Sequence, residues 1–516
     1  MNDFHQTGPR LINPYDGDPL LRVFLRRRLP APILAEIEPD LRRFGDRVIG
    51  EIQGWGDEAE AHPPMHVPYD AWGRRIDDIV VSDGWRALDR ASAEEGLVAI
   101  GYERRHAAFS RIHQMAKLYL FHPSSATYSC PLAMGDGAAR FLEVHGDHAT
   151  RYAFDHLTSR DPSRFWTSGQ WMTERTGGSD VSQTSTVARQ EDGSFRLYGT
   201  KWFTSATTSQ MALALARIDG APTGGRGLSV FLVELRDESG ALRGIRVNRL
   251  KDKLGTRALP TAELTLEGTP ATLVGGAGDG VRKISALFNV TRVYNAVAAI
   301  GGMRRALALA DDYSRRRMAF GRRLADQPLH RDTLAGLEAR CRASFLLTFR
   351  VVELLGKEEC GTASESELAI LRLLTPVAKL YTAKQAVIVA SEVCEAFGGA
   401  GYVEDTGIPR LLRDAQVLPI WEGTTNVLSL DMWRAIERTG AFEPWIADVR
   451  ARLRAVNDER LHGTLSQVRA MAEDLGREVA SARDTETREA NARRLAFAIA
   501  RVTAALELIE HTCDVK

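Results

Sequence analysis

Two stretches near the middle of the chain, WMTERTGGSDVSQTST at residues 171–186 and GTKWFTS at residues 199–205, decide which fold the sequence favours. Around them, from about residue 165 to 274, short apolar runs alternate with Asp-Gly, Gly-Gly and Ser-Gly pairs. Such pairs are typical of tight turns between strands. We therefore predict a small antiparallel β domain over residues 165–277.

The segments on both sides of this β domain have a helical pattern. Apolar residues recur at helix spacing in the segment 1–164, which predicts an N-terminal helical domain, and again in 278–440, which predicts a helical bundle. The segment 441–516 is predicted to be an extra helical tail with three amphipathic helices. Their apolar positions are Ile446, Val449, Leu453 and Val456; Leu465, Val468, Ala472, Leu475 and Val479; and Leu495, Ile499, Val502, Leu506 and Ile509.

Composition restricts the class of protein. The chain has 516 residues, 44% hydrophobic and 26% charged, which is typical of a globular protein. Lys+Arg and Asp+Glu both number 67, so no overall positive field would gather nucleic acid or an anionic membrane. The five cysteines are widely spaced and odd in number, which favours reduced thiols over a disulfide framework or a zinc site. No metal site is expected.

Localisation follows from two further patterns. The first twenty residues lack a basic region followed by an apolar core, and they include three Asp, which a transit peptide avoids. No later stretch is apolar over enough residues to span a bilayer. We expect a cytoplasmic protein without a membrane partner.

Five motifs occur in an order that resembles the acyl-CoA dehydrogenases. These are the two stretches quoted above, RRRMAFG at 315–321, EAFGGAGY at 395–402 and IWEGTTN at 420–426. The resemblance covers roughly residues 70 to 440. Three further features resemble the AidB branch of that family. They are the segment PPMHVPYDAWGRRIDDI at 63–79, the sequence KWFTS at 201–205 and the helical tail. The resemblance implies the acyl-CoA dehydrogenase fold, with helical, β and helical domains in this order, and bound FAD.

The β domain carries residues suited to a flavin ring, which needs a flat apolar wall, hydrogen-bond donors and nearby backbone. The Met172 backbone and the Thr173 hydroxyl would serve the pyrimidine edge, while Gly178 and Ser179 would let the backbone approach phosphate. Phe203 would form the wall. By resemblance, the Ser205 hydroxyl reaches flavin N5. The alternative interpretation is a β-domain turn with a packed aromatic side chain.

Residues for the nucleotide part of FAD lie in the second half of the chain. Arg317, Phe320 and Gln327 resemble those that hold the FAD pyrophosphate and adenine of a neighbouring subunit, and Gly398 and Gly399 would carry the rest of the nucleotide. A site completed by two chains implies a homo-oligomer, with a tetramer (a dimer of dimers) as the family's arrangement. For RRRMAFG alone, a solvated basic helix face is the alternative.

Glu422 is the candidate catalytic residue. Desaturation of an acyl thioester requires a base to remove the weakly acidic α-proton while a hydride leaves Cβ, and Glu422 occupies the position of the family's base. By resemblance its backbone N–H also polarises the thioester carbonyl. Thr424 and Asn426 would contact the cofactor's phosphate or ribose. The alternative is an acid placed at a helix start, since EGTTN could begin a helix.

On the substrate side, the resemblance places Arg292 and Ser179 beside the acyl-CoA. Asn289 stands where the family commonly has an Asp that binds pantetheine. The implied partners are an acyl-CoA with a medium, long or branched chain and an electron acceptor such as electron-transfer flavoprotein, which suits fatty acid metabolism.

A second hypothesis remains open: an AidB-like stress or alkylation-response flavoprotein with DNA association and weak or no dehydrogenase activity. The tail after Phe442 has twelve basic and thirteen acidic side chains, so it offers DNA no positive field. A flavin oxidase or monooxygenase is disfavoured, because related oxidases carry Asp at the base position and related hydroxylases generally lack the glutamate.

Overall fold

The structure is a computed structural model that describes residues 7–482 and 484–513. The helices are α1 (Pro19–Arg28), α2 (Ala31–Arg47), α3 (Gln53–Ala61), α4 (Asp83–Glu94), α5 (Ala99–Glu103), α6 (Ser110–Phe121), α7 (Ser129–His145), α8 (Arg151–Leu157), α9 (Gly280–Lys283), α10 (Ser285–Arg316), α11 (Pro328–Glu359), α12 (Glu365–Ala396), α13 (Ile408–Ala415), α14 (Thr425–Thr439), α15 (Phe442–Ala455), α16 (His462–Ser481) and α17 (Thr485–Cys513). The strands are β1 (Met65–Tyr69), β2 (Arg75–Val80), β3 (Ser168–Trp171), β4 (Val187–Glu191), β5 (Ser194–Ser205), β6 (Met211–Ile218), β7 (Leu228–Glu234), β8 (Ile245–Leu250), β9 (Thr261–Val274), β10 (Met318–Ala319) and β11 (Arg322–Arg323).

The chain has N-terminal helices, a middle β domain, a C-terminal helical bundle and an extra C-terminal helical region, in the predicted order. Its residues divide into two compact units. One contains residues 50–103 and 124–294, and the other contains 7–49, 104–123 and 295–513 apart from residue 483. Each unit combines several stretches of chain, so the boundaries predicted at 164, 277 and 440 stay predictions. Within the described ranges, no helix combines the length and the apolar character that a bilayer crossing requires.

The first unit is built around a sheet that closes on itself in the order β6, β4, β5, β9, β7 and back to β6, with β3 beside β6 and β8 beside β9. The inner face carries small and apolar side chains such as Ala214, Phe231 and Leu264. The opposite face packs Leu213 and Val230 against residues of α7, α8 and α10. Strands buried on both faces explain the near-continuous apolar runs MALALARI and LSVFLVEL.

The prediction of an antiparallel sheet is wrong in one respect. Most neighbouring strands are antiparallel, but β3 and β4 both pair with β6 in parallel. Parallel neighbours need a long crossover between them. The chain between β3 and β6 runs through β4 and β5 and supplies that crossover, which turn signals alone do not reveal.

The N-terminal segment, predicted to be mostly helical, also contains a β-hairpin that was not predicted. Strands β1 and β2 form an antiparallel hairpin, with Met65 opposite Val80 and Tyr69 opposite Arg75. Its turn is held by Asp70, whose carboxylate accepts hydrogen bonds from the backbone N–H groups of Trp72 and Arg74 at 2.9 Å each. The apolar and polar residues of this segment do not alternate regularly, so the sequence pattern gave no indication of strands.

The second unit is helical. Its long helices α11 and α12 pack on each other, and α14, α15 and α17 pack against α12. The three tail helices are confirmed as α15, α16 and α17, and their predicted apolar positions are buried except for the half-buried Val456 and Val479. A charged cluster joins α17 of the tail to α1. Glu507 of α17 contacts Arg28 of α1 at 3.0 Å and Arg452 of α15 at 2.6 Å.

Candidate functional site

Glu422 lies in a sharp turn between α13 and α14. Its φ is +55°, in the left-handed region that residues with a side chain seldom adopt, and Gly423 follows with a φ of +99°. A Cβ at position 423 would stand 2.9 Å from Leu428 Cδ2, so glycine is required there for space as well as for conformation. The turn leaves the Glu422 side chain half-buried.

Glu422 is neither the N-cap of α14 nor a residue of its first turn. Helix α14 begins at Thr425 with Thr424 as its N-cap, and its first turn contains no acidic residue. Glu422 therefore precedes the cap by two residues and lies outside the first turn, where a carboxylate would stabilise the helix dipole. The strained backbone at Glu422 needs another explanation.

A buried lysine of α12 contacts this turn, and the sequence analysis did not identify it. The Nζ atom of Lys379 donates to the carbonyl oxygen of Trp421 at 2.6 Å and to that of Gly423 at 2.7 Å. Lys379 has no exposed surface, and it precedes Glu422 by 43 residues, so no local pattern joins them. A lysine among the apolar residues of a helix was the signal available, because lysine is seldom buried without a partner.

The neighbouring Trp421 is also held from α10. Its indole Nε1–H donates a hydrogen bond to the Oδ1 atom of Asn295, which is buried. The two residues on either side of Glu422 are thus fixed by polar groups of α10 and α12.

In the first unit, which contains the sheet and is called the β unit from here on, Thr173 connects the segments 171–186 and 199–205. Its carbonyl oxygen accepts a 3.0 Å hydrogen bond from the backbone N–H of Trp202. Gly178 folds back onto the same residue, since a Cβ at 178 would stand 2.7 Å from the Thr173 Oγ1 atom. Met172 is buried, whereas Ser179 is exposed. The predicted glycine is therefore required by close packing on Thr173.

A buried ion pair supports this segment and was not predicted. Lys201 Nζ lies 2.7 Å from Glu174 Oε1, and both side chains are buried. The Glu174 carboxylate also accepts hydrogen bonds from the backbone N–H groups of Ser185 at 2.7 Å and Thr186 at 3.2 Å. Burial opposes ionisation, but the Lys201 charge and the hydrogen bonds from Lys201 and from the Thr186 and Ser185 hydroxyls outweigh it and lower the pKa of Glu174 to about 2.

A β-bulge presents Phe203 to solvent. Lys201 is opposite Leu264 and Thr204 is opposite Ala262, so two residues of β5 face one residue of β9 between these pairs. Lys201 and Thr204 consequently both point inward, while Phe203 is 57% exposed. Lys251 Nζ lies 4.6 Å from the centroid of its ring. An exposed aromatic face is what the predicted flavin wall requires.

Ser205 follows at the end of β5. Its hydroxyl lies 3.0 Å from the Oγ1 atom of Thr261, and Lys253 Nζ donates to that same Thr261 atom at 3.1 Å. The hydroxyl predicted to serve flavin N5 therefore belongs to a small polar network on β5 and β9.

A cavity in the second unit, called the helical unit from here on, is lined by several of the residues that are predicted to bind the nucleotide part of FAD. Its volume is about 580 Å³, and Arg317, Gly398 and Gly399 line it, together with Glu395. The φ of Gly398 is +61°, and a Cβ on either glycine would point into open space. The structure thus brings together residues that are about eighty positions apart in the sequence.

Phe320 lies on the hairpin next to this cavity, and Gln327 is the N-cap residue of the following helix α11. Strands β10 and β11 pair through Ala319 and Arg322, and Phe320 at the tip is 98% exposed. The side-chain amide of Gln327 donates to the carbonyl oxygen of Ala319 at 3.1 Å, which holds the hairpin against the start of α11. Gln327 thus supports Phe320 within the same chain.

Thr424 and Asn426 are both exposed at the start of α14. The Thr424 side chain makes no capping hydrogen bond, although it is the N-cap residue. Asn426 Oδ1 accepts a 3.1 Å hydrogen bond from Arg493 of α17. The tail therefore reaches a predicted cofactor residue, which no motif indicated.

Arg292, the predicted substrate residue, lies on α10 in the β unit. Its guanidinium carbon is 6.0 Å from the ring centroid of Phe288, one turn earlier on the helix. Glu422, Thr424 and Asn426 lie within five consecutive residues at the start of α14 in the helical unit. Met172, Thr173, Gly178, Phe203 and Ser205 belong to the β unit.

Family comparisons cover nearly the whole chain. Residues 9–161 match the Adaptive response protein AidB N-terminal domain, and residues 169–269 match the acyl-CoA dehydrogenase middle domain. Residues 278–437 match the acyl-CoA dehydrogenase C-terminal domain, and residues 440–516 match the acyl-CoA dehydrogenase 11 C-terminal domain-like family.

Individual relatives agree with this assignment. Acyl-CoA dehydrogenase family member 11 of Caenorhabditis elegans is 48% identical, over 99% of this chain and 86% of the relative. The putative acyl-CoA dehydrogenase AidB of Escherichia coli is 32% identical, over 82% of this chain and 79% of the relative. The crystal structure of C. elegans ACDH-11 in complex with C11-CoA is 47% identical, has a TM-score of 0.97 and covers 100% of this chain and 90% of that chain.

Proposed function

The chain belongs to the acyl-CoA dehydrogenase family, and on that premise we propose that it is an FAD-dependent oxidoreductase that desaturates an acyl-CoA between Cα and Cβ. In this proposal Glu422 is the general base. The observation that carries it is the left-handed backbone of Glu422, with a φ of +55°. Strain of this kind persists where the surrounding structure enforces it, and it is concentrated at functional sites.

The chemistry assigned to Glu422 is removal of the α-proton. A carboxylate accepts a proton through an oxygen lone pair, and it must be aimed at that proton within hydrogen-bond reach. The hydrogen bonds that fix Trp421 and Gly423 limit the directions open to the Glu422 side chain. A base held in one orientation avoids the entropy loss of aligning it during the reaction.

The residues present fit FAD. The cavity beside Gly398 and Gly399 gives backbone access without side chains, and Arg317 brings a guanidinium suited to phosphate. The exposed ring of Phe203 offers an apolar face, and the Thr424 hydroxyl is not used for capping. When bound, FAD supplies the acceptor for the hydride that leaves Cβ.

The substrate class is proposed to be an acyl-CoA of medium or longer chain. The C. elegans relative forms a complex with C11-CoA, and it is similar to this chain over its whole length. Arg292 and Ser179 are proposed to contact the substrate, and electron-transfer flavoprotein is proposed as the electron acceptor, as in the family. Cytoplasmic localisation and a place in fatty acid metabolism stay predictions.

A homotetramer is proposed as the assembly. Phe320 stands 98% exposed on its hairpin, and Tyr402 and Leu329 are also largely exposed in the same unit. We propose that these exposed apolar side chains belong to an interaction surface. A second copy of this chain that covers them would place Phe320 and Arg317 beside the neighbour's FAD.

The experiment that tests the proposed function is anaerobic mixing of the purified flavoprotein with a panel of acyl-CoAs of increasing chain length. Loss of the flavin absorbance near its visible maximum with at least one acyl-CoA is the expected result. Persistent oxidised flavin with every acyl-CoA, in protein that carries full flavin, would contradict the proposal.

A further inference from the structure

The contact between Lys379 and the Glu422 turn has an unusual chemistry. A single buried ammonium group donates to two backbone carbonyls, and these belong to the residues immediately before and after Glu422. Removing a charged amine from water is costly unless strong acceptors replace the lost hydration. The two carbonyl oxygens, at 2.6 and 2.7 Å, are such acceptors.

The location of Lys379 shows that packing alone does not require it. Its neighbours Val377, Ala378 and Leu380 are buried apolar residues of the same helix. An apolar side chain of similar volume would fill the space without a desolvation cost. The two carbonyl oxygens supply hydrogen bonds that a buried ammonium group requires.

The effect of this contact is to fix a turn that the chain disfavours. Glu422 and Gly423 both have positive φ values, and the carbonyl groups on either side of Glu422 point at one atom. The Asn295 side chain adds a hydrogen bond to the Trp421 indole from another helix. Glu422 is thus fixed through both of its neighbours.

We infer that Lys379 is a positioning residue for Glu422, with its ammonium group setting the orientation of the turn that carries the carboxylate. Lys379 acts through the backbone and does not itself exchange a proton with substrate. The catalytic half of this inference rests on the proposed function. The structural half, in which Lys379 orders residues 420–424, does not.

The test compares Lys379→Met with Lys117→Met. Lys117 is also a buried lysine of the helical unit, and its Nζ lies 3.0 Å from Asp40, away from the Glu422 turn in sequence. Both variants leave acceptors without a donor, two backbone carbonyls in one case and Asp40 in the other, so both are expected to melt at a lower temperature. Only Lys379→Met is expected to speed amide hydrogen exchange in residues 420–424, by about tenfold.

The catalytic readout uses an acyl-CoA that bleaches the wild-type flavin. Lys379→Met is expected to slow flavin reduction about 10- to 100-fold with little change in acyl-CoA affinity, because orientation is lost and binding is kept. The double variant Lys379→Met with Glu422→Gln is expected to be no slower than Glu422→Gln alone. Lys117→Met is expected to reduce its flavin at the wild-type rate.

Amide hydrogen exchange at the wild-type rate in residues 420–424 of folded Lys379→Met would overturn the inference. The inference would also be overturned if the double variant reduced its flavin more slowly than Glu422→Gln alone, by the factor that Lys379→Met causes. If Lys379→Met does not accumulate as folded protein, Lys379→Gln replaces it in both experiments. Glutamine keeps a hydrogen-bond donor but lacks the charge, and the same results are expected for it. A wild type that no acyl-CoA bleaches would refute the proposed function, and the exchange result would still decide whether Lys379 orders the turn.

Discussion

The Arg493 guanidinium donates a 3.1 Å hydrogen bond to the carboxamide oxygen of Asn426, which ties α17 of the tail to the first turn of α14. With Oδ1 used in this way, the amide group of Asn426 is left to act as a donor. The tail is thereby connected to the loop that carries Glu422 and Thr424.

Arg493→Ala is expected to weaken flavin binding several-fold, because Asn426 loses the contact that orients its amide. The measurement is the dissociation constant for FAD with apoprotein, followed by flavin fluorescence. Arg494→Ala is the matched control, since Arg494 pairs with Glu478 within the tail at 2.6 Å. Equal FAD affinities for the two variants would remove Arg493 from the cofactor's surroundings.

Arg317→Ala is expected to lower flavin content and to weaken the oligomer together, because the proposed site uses Arg317 across a subunit contact. Flavin absorbance per chain and analytical ultracentrifugation measure the two effects. Arg315→Ala, two residues earlier in the last turn of α10, is the control, as Arg315 pairs with Asp311 at 2.9 Å. A monodisperse wild-type monomer with one flavin per chain would refute the shared site.

The Glu174–Lys201 pair is expected to make the protein sensitive to acid. The pKa of Glu174 is about 2 in the folded protein, below the value of about 4.3 for an unfolded glutamate. A carboxyl group with a lowered folded pKa stabilises the protein above its unfolded pKa, and that stabilisation is lost as the pH falls from about 4.3 toward about 2. Denaturant unfolding at a series of pH values measures this loss.

Breaking the same pair is expected to be costly. Lys201→Met should destabilise the protein by about 3–5 kcal/mol, because the Glu174 carboxylate stays buried without its cation. Arg282→Met, which breaks the exposed contact of Arg282 with Asp279, should change the free energy of unfolding by less than about 1 kcal/mol. A Lys201→Met variant as stable as Arg282→Met would show that the pair does not support the Thr173 segment.

Duplex DNA is expected to bind weakly and without sequence preference. The tail has more acidic than basic side chains, and several of its arginines are already paired, including Arg452 with Glu510 and Arg460 with Asp458. Binding measured by fluorescence anisotropy should fall steeply between about 50 and 200 mM salt. Tight binding at the higher salt concentration would favour the AidB-like DNA-association hypothesis.

The sequence was most informative where a pattern is local. The apolar spacing of the tail placed Leu495, Ile499 and Leu506 on the buried face of α17, because helix periodicity depends only on near neighbours. The motif around Gly398 was likewise found next to the cavity that Arg317 lines.

Features that depend on distant residues escaped the sequence analysis. Lys379 meets the Glu422 turn across 43 positions, and Arg493 meets Asn426 across 67 positions. The bulge that exposes Phe203 depends on the register of β5 against β9, which no single strand encodes. Tertiary packing determined all three features.

The central claim is that Glu422 removes the α-proton, and Glu422→Gln tests it most directly. Glutamine keeps the size of the side chain and removes the lone pair that accepts the proton, so FAD and acyl-CoA should still bind. The measurement is rapid mixing of the flavoprotein with the best acyl-CoA of the panel, with Glu443→Gln, at an exposed glutamate of α15, as the matched control.

We expect Glu422→Gln to reduce its flavin at least about 10²- to 10⁴-fold more slowly than the wild type, and Glu443→Gln to reduce it at the wild-type rate. Flavin bleaching by Glu422→Gln at the wild-type rate would contradict the assignment of Glu422 as the base.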